Sequence, residues 1–152
     1  MPKPNTQGGA RVADRRSGCP ISISLEIFGD RWSLLIVRDL MFKGLKRFGE
    51  FAAAGEGIAS NVLADRLERL ECAEIITRAP DPDDARKVVY RLTRKGIELA
   101  PMLIEMVLWS ARHEGTDAPP EQVRAMKMDR EAFIASLRRE WEAASATSRR
   151  RR

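Results

Sequence analysis

Residues 51–67, FAAAGEGIASNVLADRL, close one run of small residues at helical spacing and open a second, amphipathic run across a gap that holds Gly55 and Gly57. A connection of so few residues, with two glycines free to take left-handed backbone, leaves no room for an antiparallel return, so the two helices cross steeply. The second run reads SNVLADRLERLECA. Leu63, Leu67 and Leu70 recur at helical spacing, and a step of about 100° per residue sets Asn61, Asp65 and Glu68 opposite them with Arg69 alongside. One face packs and the other is free. The first run, KRFGEFAAA, follows a break at Gly44 and puts Phe48, Phe51 and Ala52 on one side.

Upstream, Pro20 suits a first helical position, and ISISLEIFG spaces Ile21, Leu25 and Phe28 for one face before Gly29. Asp30 is placed to cap the next helix, RWSLLIVRDLMF, which is apolar on more than one side and therefore reads as the central, buried element. Downstream, EIITRA and KVVYRLT are β-rich and flank PDPDDAR, the pattern of a hairpin. Thr93 then caps a long helix over residues 94–112, bent at Pro101, with an apolar stripe of Leu99, Met102, Leu103, Met106 and Trp109. Phe133, Ile134, Leu137 and Trp141 recur in a last amphipathic stretch. The expected organisation is a flexible basic arm over 1–18, a domain over 19–112, a linker over 113–120, a C-terminal helix over 121–145 available for dimerisation, and a frayed basic tail over 146–152. This order of elements is that of a mainly α protein with a small β-hairpin, a winged helix-turn-helix.

Composition narrows the function. The net charge of +5 resides in the ends: the first 18 residues carry +3 and residues 149–152 carry +4, which leaves −2 for residues 19–148. A nucleic-acid face must therefore be made by a few placed cations and not by a basic body. One histidine and two cysteines give no material for a catalytic triad or a zinc site, so neither an enzyme nor a metal or other cofactor is expected. No apolar run reaches the roughly 18 residues of a membrane span and the N-terminus lacks an apolar leader, so the expected place is the cytoplasm.

The strings CPISISLEIFGDRW, KRFGEF, GIASNVLADRLERLE, VVYRLTRKG and LAPMLIEMVLW, in this order, resemble the HxlR-type winged helix-turn-helix transcriptional regulators, a MarR-like group. The resemblance runs from Cys19 to about Trp109. It implies a homodimer that binds double-stranded DNA, with an operator that mirrors its two-fold symmetry. The competing reading is a winged helix that docks on another protein.

In a helix-turn-helix the N-terminal residues of the second helix enter the major groove, which makes Ser60 and Asn61 the expected base readers, since Asn pairs bidentately with adenine. Asp65 is a lesser candidate as acceptor from cytosine, and is read first as a solvated carboxylate or a partner of Arg69, which, beside the free face, is itself counted among the DNA-binding candidates. Arg66 lies toward the packed face and is assigned phosphate or structural work. Lys46 and Arg47, at the start of the brace helix, are expected on phosphate, with Arg47 favoured by the family pattern. Arg86 and Lys87 are expected to carry the wing to DNA, with the loop aspartates turned away. Met102, Met106 and Trp109 are the expected dimer contacts, joined by the N-terminal helix and residues 133–141. Cys19 precedes Pro20 at a helix cap, where free amides and the helix dipole favour a thiolate, and the resemblance implies that a cysteine here senses oxidants or electrophiles in some members. Cys72 reads as a small packed residue. No effector molecule is indicated.

Overall fold

The computed structural model describes residues 15–150, so most of the arm expected over 1–18, and Arg151 and Arg152, lie outside the described residues. The elements are α1 (Pro20–Phe28), α2 (Ser33–Phe42), α3 (Phe48–Ala52), α4 (Ser60–Cys72), β1 (Ile76–Pro80), β2 (Val88–Leu92), α5 (Arg94–Ile97), α6 (Ala100–His113), α7 (Pro120–Met128) and α8 (Arg130–Arg150). The strands form one antiparallel hairpin in which Ile76 faces Leu92 and Pro80 faces Val88. The architecture is the mainly α winged helix-turn-helix that the pattern predicts.

Local chemistry sets each boundary near the site. The Asp30 carboxylate accepts from the N–H groups of Trp32 (2.8 Å) and Ser33 (2.9 Å) and from the Ser33 hydroxyl (2.5 Å), which starts α2 as expected. Ile36 and Val37 of that helix are buried beside Phe51, Leu63, Leu67, Leu70, Ile75 and Ile76 in one core. Gly55 and Gly57, with φ of 90° and 72°, turn the chain between α3 and α4 in a backbone region that L side chains rarely take. At its far end α4 closes through the Ile75 N–H on the Leu70 carbonyl (2.9 Å), and the Lys95 ammonium donates to the Ala73 carbonyl (2.8 Å). Thr93 accepts from the Gly96 N–H at 3.0 Å, the expected cap.

Several boundaries differ from expectation. The helix predicted over 94–112 is two helices, because the chain breaks at Glu98 and Leu99 and Pro101 falls in the first turn of α6, where its missing N–H costs nothing. Pro101 thus starts a helix instead of bending one. The apolar stripe divides accordingly: Leu103, Ile104 and Leu108 are buried with Met126 and Leu137, while Met106 and Trp109 face outward. The C-terminal region is a helix pair, and α8 does not fray after Ser145 but continues to Arg150. Alanines at 143, 144 and 146 favour the helix and Arg149 and Arg150 complement its C-terminal dipole. α8 folds back on its own domain, with Leu137 buried and the Trp141 indole donating to the Leu92 carbonyl at 2.8 Å. In α1, Ile21 and Leu25 are exposed while Ile27 and Phe28 pack on the core. Phe48 is also exposed, leaving Phe51 as the buried anchor of α3. Cys72 is exposed, which corrects its reading as a packed residue.

Candidate nucleic-acid interface

Burial of Leu63, Leu67 and Leu70 fixes the rotation of α4 and leaves Ser60, Asn61, Ala64, Asp65, Glu68 and Arg69 on its open face. Ser60 and Asn61 stand in the first turn. The cap residue, Ala59, brings no side-chain acceptor to the first-turn N–H groups, so they remain donors for an incoming oxygen. Ala64 belongs to the same face. It carries no polar atom to mark it in the sequence, yet a methyl beside Asn61 is the kind of group that contacts thymine's methyl in a major groove. Its helical spacing from Asn61 was the available signal.

The charged residues are sorted by their internal partners. Arg66 pairs through its Nε with Asp30 at 3.0 Å and also contacts Asp65, so it ties α4 to the cap of α2. Burial pushes the Asp30 pKa up, but hydrogen bonds from the Ser33 hydroxyl and from the Trp32 and Ser33 N–H groups, with the Arg66 charge, outweigh it and leave the pKa lowered. Asp65 is shared with Arg69 at 3.6 Å, which matches its reading as a partner of that residue.

Arg47 joins the start of α3 to the wing. Its Nε donates to Asp81 Oδ2 at 2.7 Å and its Nη2 lies 2.5 Å from the same atom, while Nη1 is 3.8 Å from Glu50. Asp81 is buried at the root of the wing loop, and its pKa is lowered by the Asp83 N–H first and by Arg47 second. The guanidinium expected on phosphate is a clamp between brace helix and wing. Lys46, its neighbour, is exposed and has no ion pair among the described residues, and its backbone is fixed at both ends. The Lys46 N–H donates to Glu50 Oε2 at 2.7 Å and the Lys46 carbonyl accepts from the Tyr90 N–H at 2.7 Å. Glu50 also accepts from the Arg47 N–H at 2.9 Å; the Lys46 N–H leads the contacts that lower its pKa.

At the wing tip the loop closes through the Asp81 N–H on the Lys87 carbonyl and the Lys87 N–H on the Asp84 carbonyl, both 2.8 Å. Asp81 is turned inward, as expected of the loop aspartates. Asp84 is not: it holds Arg86 at 3.0 Å and Lys87 at 3.8 Å, and the Arg86 hydrogen bond is the first cause of its lowered pKa. The tip is thus close to neutral although Arg86 is 90% exposed.

Two further features lie away from this face. Ile21 (72% exposed), Leu25 (61%), Met106 (48%) and Trp109 (59%) leave large apolar side chains in solvent on α1 and α6, and Met102 beside them is half-buried. Cys19 is exposed at the cap of α1, its carbonyl accepting the first helical bond from the Ile23 N–H at 2.9 Å.

A helix pair joined by a glycine turn, whose second member shows a polar face, followed by a hairpin, is the winged helix-turn-helix of DNA-binding transcriptional regulators. The chain belongs to the HxlR-like helix-turn-helix family, whose model matches residues 27–117. It is 39% identical over 88 residues to the HTH-type transcriptional regulator sll1512 of Synechocystis, a match that covers 58% of this chain and 64% of that protein. It is also 39% identical to the HTH-type transcriptional regulator YodB of Bacillus subtilis, over 60% of this chain and 82% of YodB. The reduced form of YodB superposes with a TM-score of 0.52 at 36% identity, covering 62% of this chain and 93% of that one, and YodB has also been solved with a quinone bound. The structure of PA1607 is similar with a TM-score of 0.62 at 36% identity, covering 70% of this chain and 73% of that one. Cys19 and the helices α7 and α8 lie outside the matched residues. Among the described residues no helix is long and apolar enough to cross a membrane.

Proposed function

We propose that the protein is a cytoplasmic regulator and not a catalyst, binding a pseudo-palindromic operator as a homodimer with one α4 in each of two major-groove half-sites. The open face of α4 carries this reading, because the buried leucines aim Ser60 and Asn61 outward at the uncapped end of the helix. Asn61 reads a base, Ala64 meets a thymine methyl, Lys46 takes a phosphate, and Arg86 and Lys87 reach the flanking backbone. The exposed apolar groups on α1 and α6 support a two-fold contact, since a monomer would leave Trp109, Met106, Leu25 and Ile21 in water. Half-site centres then fall about 10 bp, or a multiple of it, apart. Cys19 is the sensing thiol of this reading. It is exposed at the mouth of α1, a helix offered to the dimer, so its oxidation or alkylation would alter the spacing of the two α4 helices. YodB, a relative solved reduced and quinone-bound, motivates a thiol-sensing reading, with Cys19 its candidate just before the matched residues 27–117.

Selection of genomic fragments that the protein retains, followed by binding titrations at several salt concentrations, tests the function. A recurrent motif with two-fold symmetry, and affinity that falls steeply with salt, are expected. Retention of no duplex, or an interaction indifferent to salt, would point to the competing reading of a protein-docking winged helix.

A further inference from the structure

We propose that α8 carries the arginine-rich C-terminus along the wing as a second phosphate-binding element, so that Arg149 and Arg150 contact the duplex backbone beside the wing. This rests on the DNA-binding reading above. Three contacts fix the course of α8. Leu137 is buried with Ala100, Ile104 and Leu108 in the body of the domain. One turn on, the Trp141 indole donates to the Leu92 carbonyl at the inner end of β2, and three residues later the Ala144 carbonyl accepts from Arg91 Nη1 at 3.1 Å. As α8 advances, its partner on β2 changes from the Leu92 carbonyl to the guanidinium that Arg91 extends to it, which keeps the helix beside β2 to at least Ala144. Ser145 and Lys46 line one cavity of about 300 Å³ together with Tyr90, which places this turn of α8 across from the exposed lysine just before α3.

Lengths agree with this course. From Ala144 to Arg150 a helix advances about 9 Å at 1.5 Å per residue. From Arg91 to Val88 a strand covers about 10 Å at 3.3 Å per residue. The two arginines therefore come level with the outer end of β2, where the loop begins. Charge gives them a purpose there. Arg47, Arg66, Arg86 and Lys87 are all engaged with carboxylates, and residues 19–148 sum to −2. Arg149 and Arg150 are exposed and have no ion pair among the described residues, and sequence adds two more arginines directly after them. The family model ends at residue 117, so this element is an addition to the shared domain.

The test uses the full chain, a duplex carrying the selected operator, and two variants. Arg149→Ala/Arg150→Ala removes two charges. Ser145→Pro keeps every charge but breaks the last turns of α8, because proline removes the residue-145 N–H and clashes with the carbonyl one turn before it. Circular dichroism and thermal melts establish that both variants stay folded. Two lost phosphate contacts reduce the slope of log K against log salt by about 1.8, so over a fourfold rise in salt the wild type should lose about 12-fold more affinity than the double variant. Ser145→Pro should show most of the same reduction. A wild-type slope in Arg149→Ala/Arg150→Ala overturns the proposal while leaving operator binding by α4 intact. A reduced slope there with a wild-type slope in Ser145→Pro overturns it too, in favour of a loose polycationic tail. Failure of the wild type to bind any duplex would instead defeat the underlying function.

Discussion

Lys46→Ala should remove one phosphate contact and leave the fold intact, whereas Arg47→Ala should loosen the junction of brace helix and wing and leave the salt dependence nearly unchanged. The two residues are adjacent and both cationic, and on sequence Arg47 is the better phosphate ligand. Internal pairing reverses the order. Arg47 is held by Asp81 through two nitrogens, at 2.7 and 2.5 Å, and Asp81 is buried, so alanine at 47 leaves a buried carboxylate without its counter-charge. The Lys46 ammonium makes no ion pair among the described residues and only adds the smallest of the contributions that lower the pKa of Asp81 and Glu50, and the backbone bonds that fix residue 46 survive truncation of its side chain. One phosphate contact is a slope of about 0.9 in log K against log salt, or about 3.5-fold in affinity over a fourfold rise in salt. Fluorescence anisotropy with a labelled operator duplex at four salt concentrations reads the slopes, and thermal melts read the fold. The expected pattern is a reduced slope with an unchanged Tm for Lys46→Ala, and a lowered Tm with a near wild-type slope for Arg47→Ala. If Arg47→Ala melts like the wild type and loses the 0.9 of slope, the clamp opens in the complex and the pairing seen here does not decide which cation meets DNA.

Asn61→Ala should cost about 1–3 kcal/mol against the operator and relax sequence preference at one base pair per half-site, read by binding to a set of single-position operator variants; a loss that is uniform across sequences would make Asn61 a backbone contact. Trp109→Ser together with Met106→Ser should convert a dimer to a monomer by sedimentation at micromolar concentration, and an unchanged mass would place the two-fold contact elsewhere. Diamide or a benzoquinone should change operator affinity for the wild type and not for Cys19→Ser, whereas equal responses would remove Cys19 from signalling. Asp30, Glu50, Asp81 and Asp84 have lowered folded-state pKa values, so their contribution to stability is complete above the unfolded carboxylate values of about 4 and is lost as pH falls through the lower folded values. Tm followed from pH 6 down should drop in that acid window, and Asp81→Asn should flatten the drop; a profile identical to wild type would deny Asp81 its part.

What periodicity and turn chemistry encode was legible. Leu63, Leu67 and Leu70 announce their helix and its free face, Gly55 and Gly57 the turn before it, and Asp30 and Thr93 the caps, because each is decided within a few residues of chain. Features decided by distant contacts were not. Arg47 finds Asp81 34 residues away, Trp141 finds Leu92 49 away, and Arg66 finds Asp30 across the whole brace helix. No local pattern distinguishes an arginine that will be paired from one that will be free. The helix break before Pro101 was readable in principle, since a proline within a periodic run more often begins or ends a helix than bends it. The run masked it by keeping its apolar spacing through the break, where Leu99 still packs on the core.

Pairing of cations also divides the labour of binding. A body that sums to −2, with Arg47 and Arg66 neutralised inside the fold, has little attraction for DNA in general, so α4 offers selectivity with a weak electrostatic background. In the proposed complex, absolute affinity comes from cations that do not read bases: Lys46, the shared pair at the wing tip, and the arginines at the end of α8. These act on any duplex, so their loss should lower specific and non-specific affinity by the same factor and leave the ratio between them unchanged, whereas loss of Asn61 should compress the ratio. On the proposed reading, selectivity rests on α4, and affinity on Lys46 and the wing-tip pair of the shared domain together with the arginines of α8 beyond it.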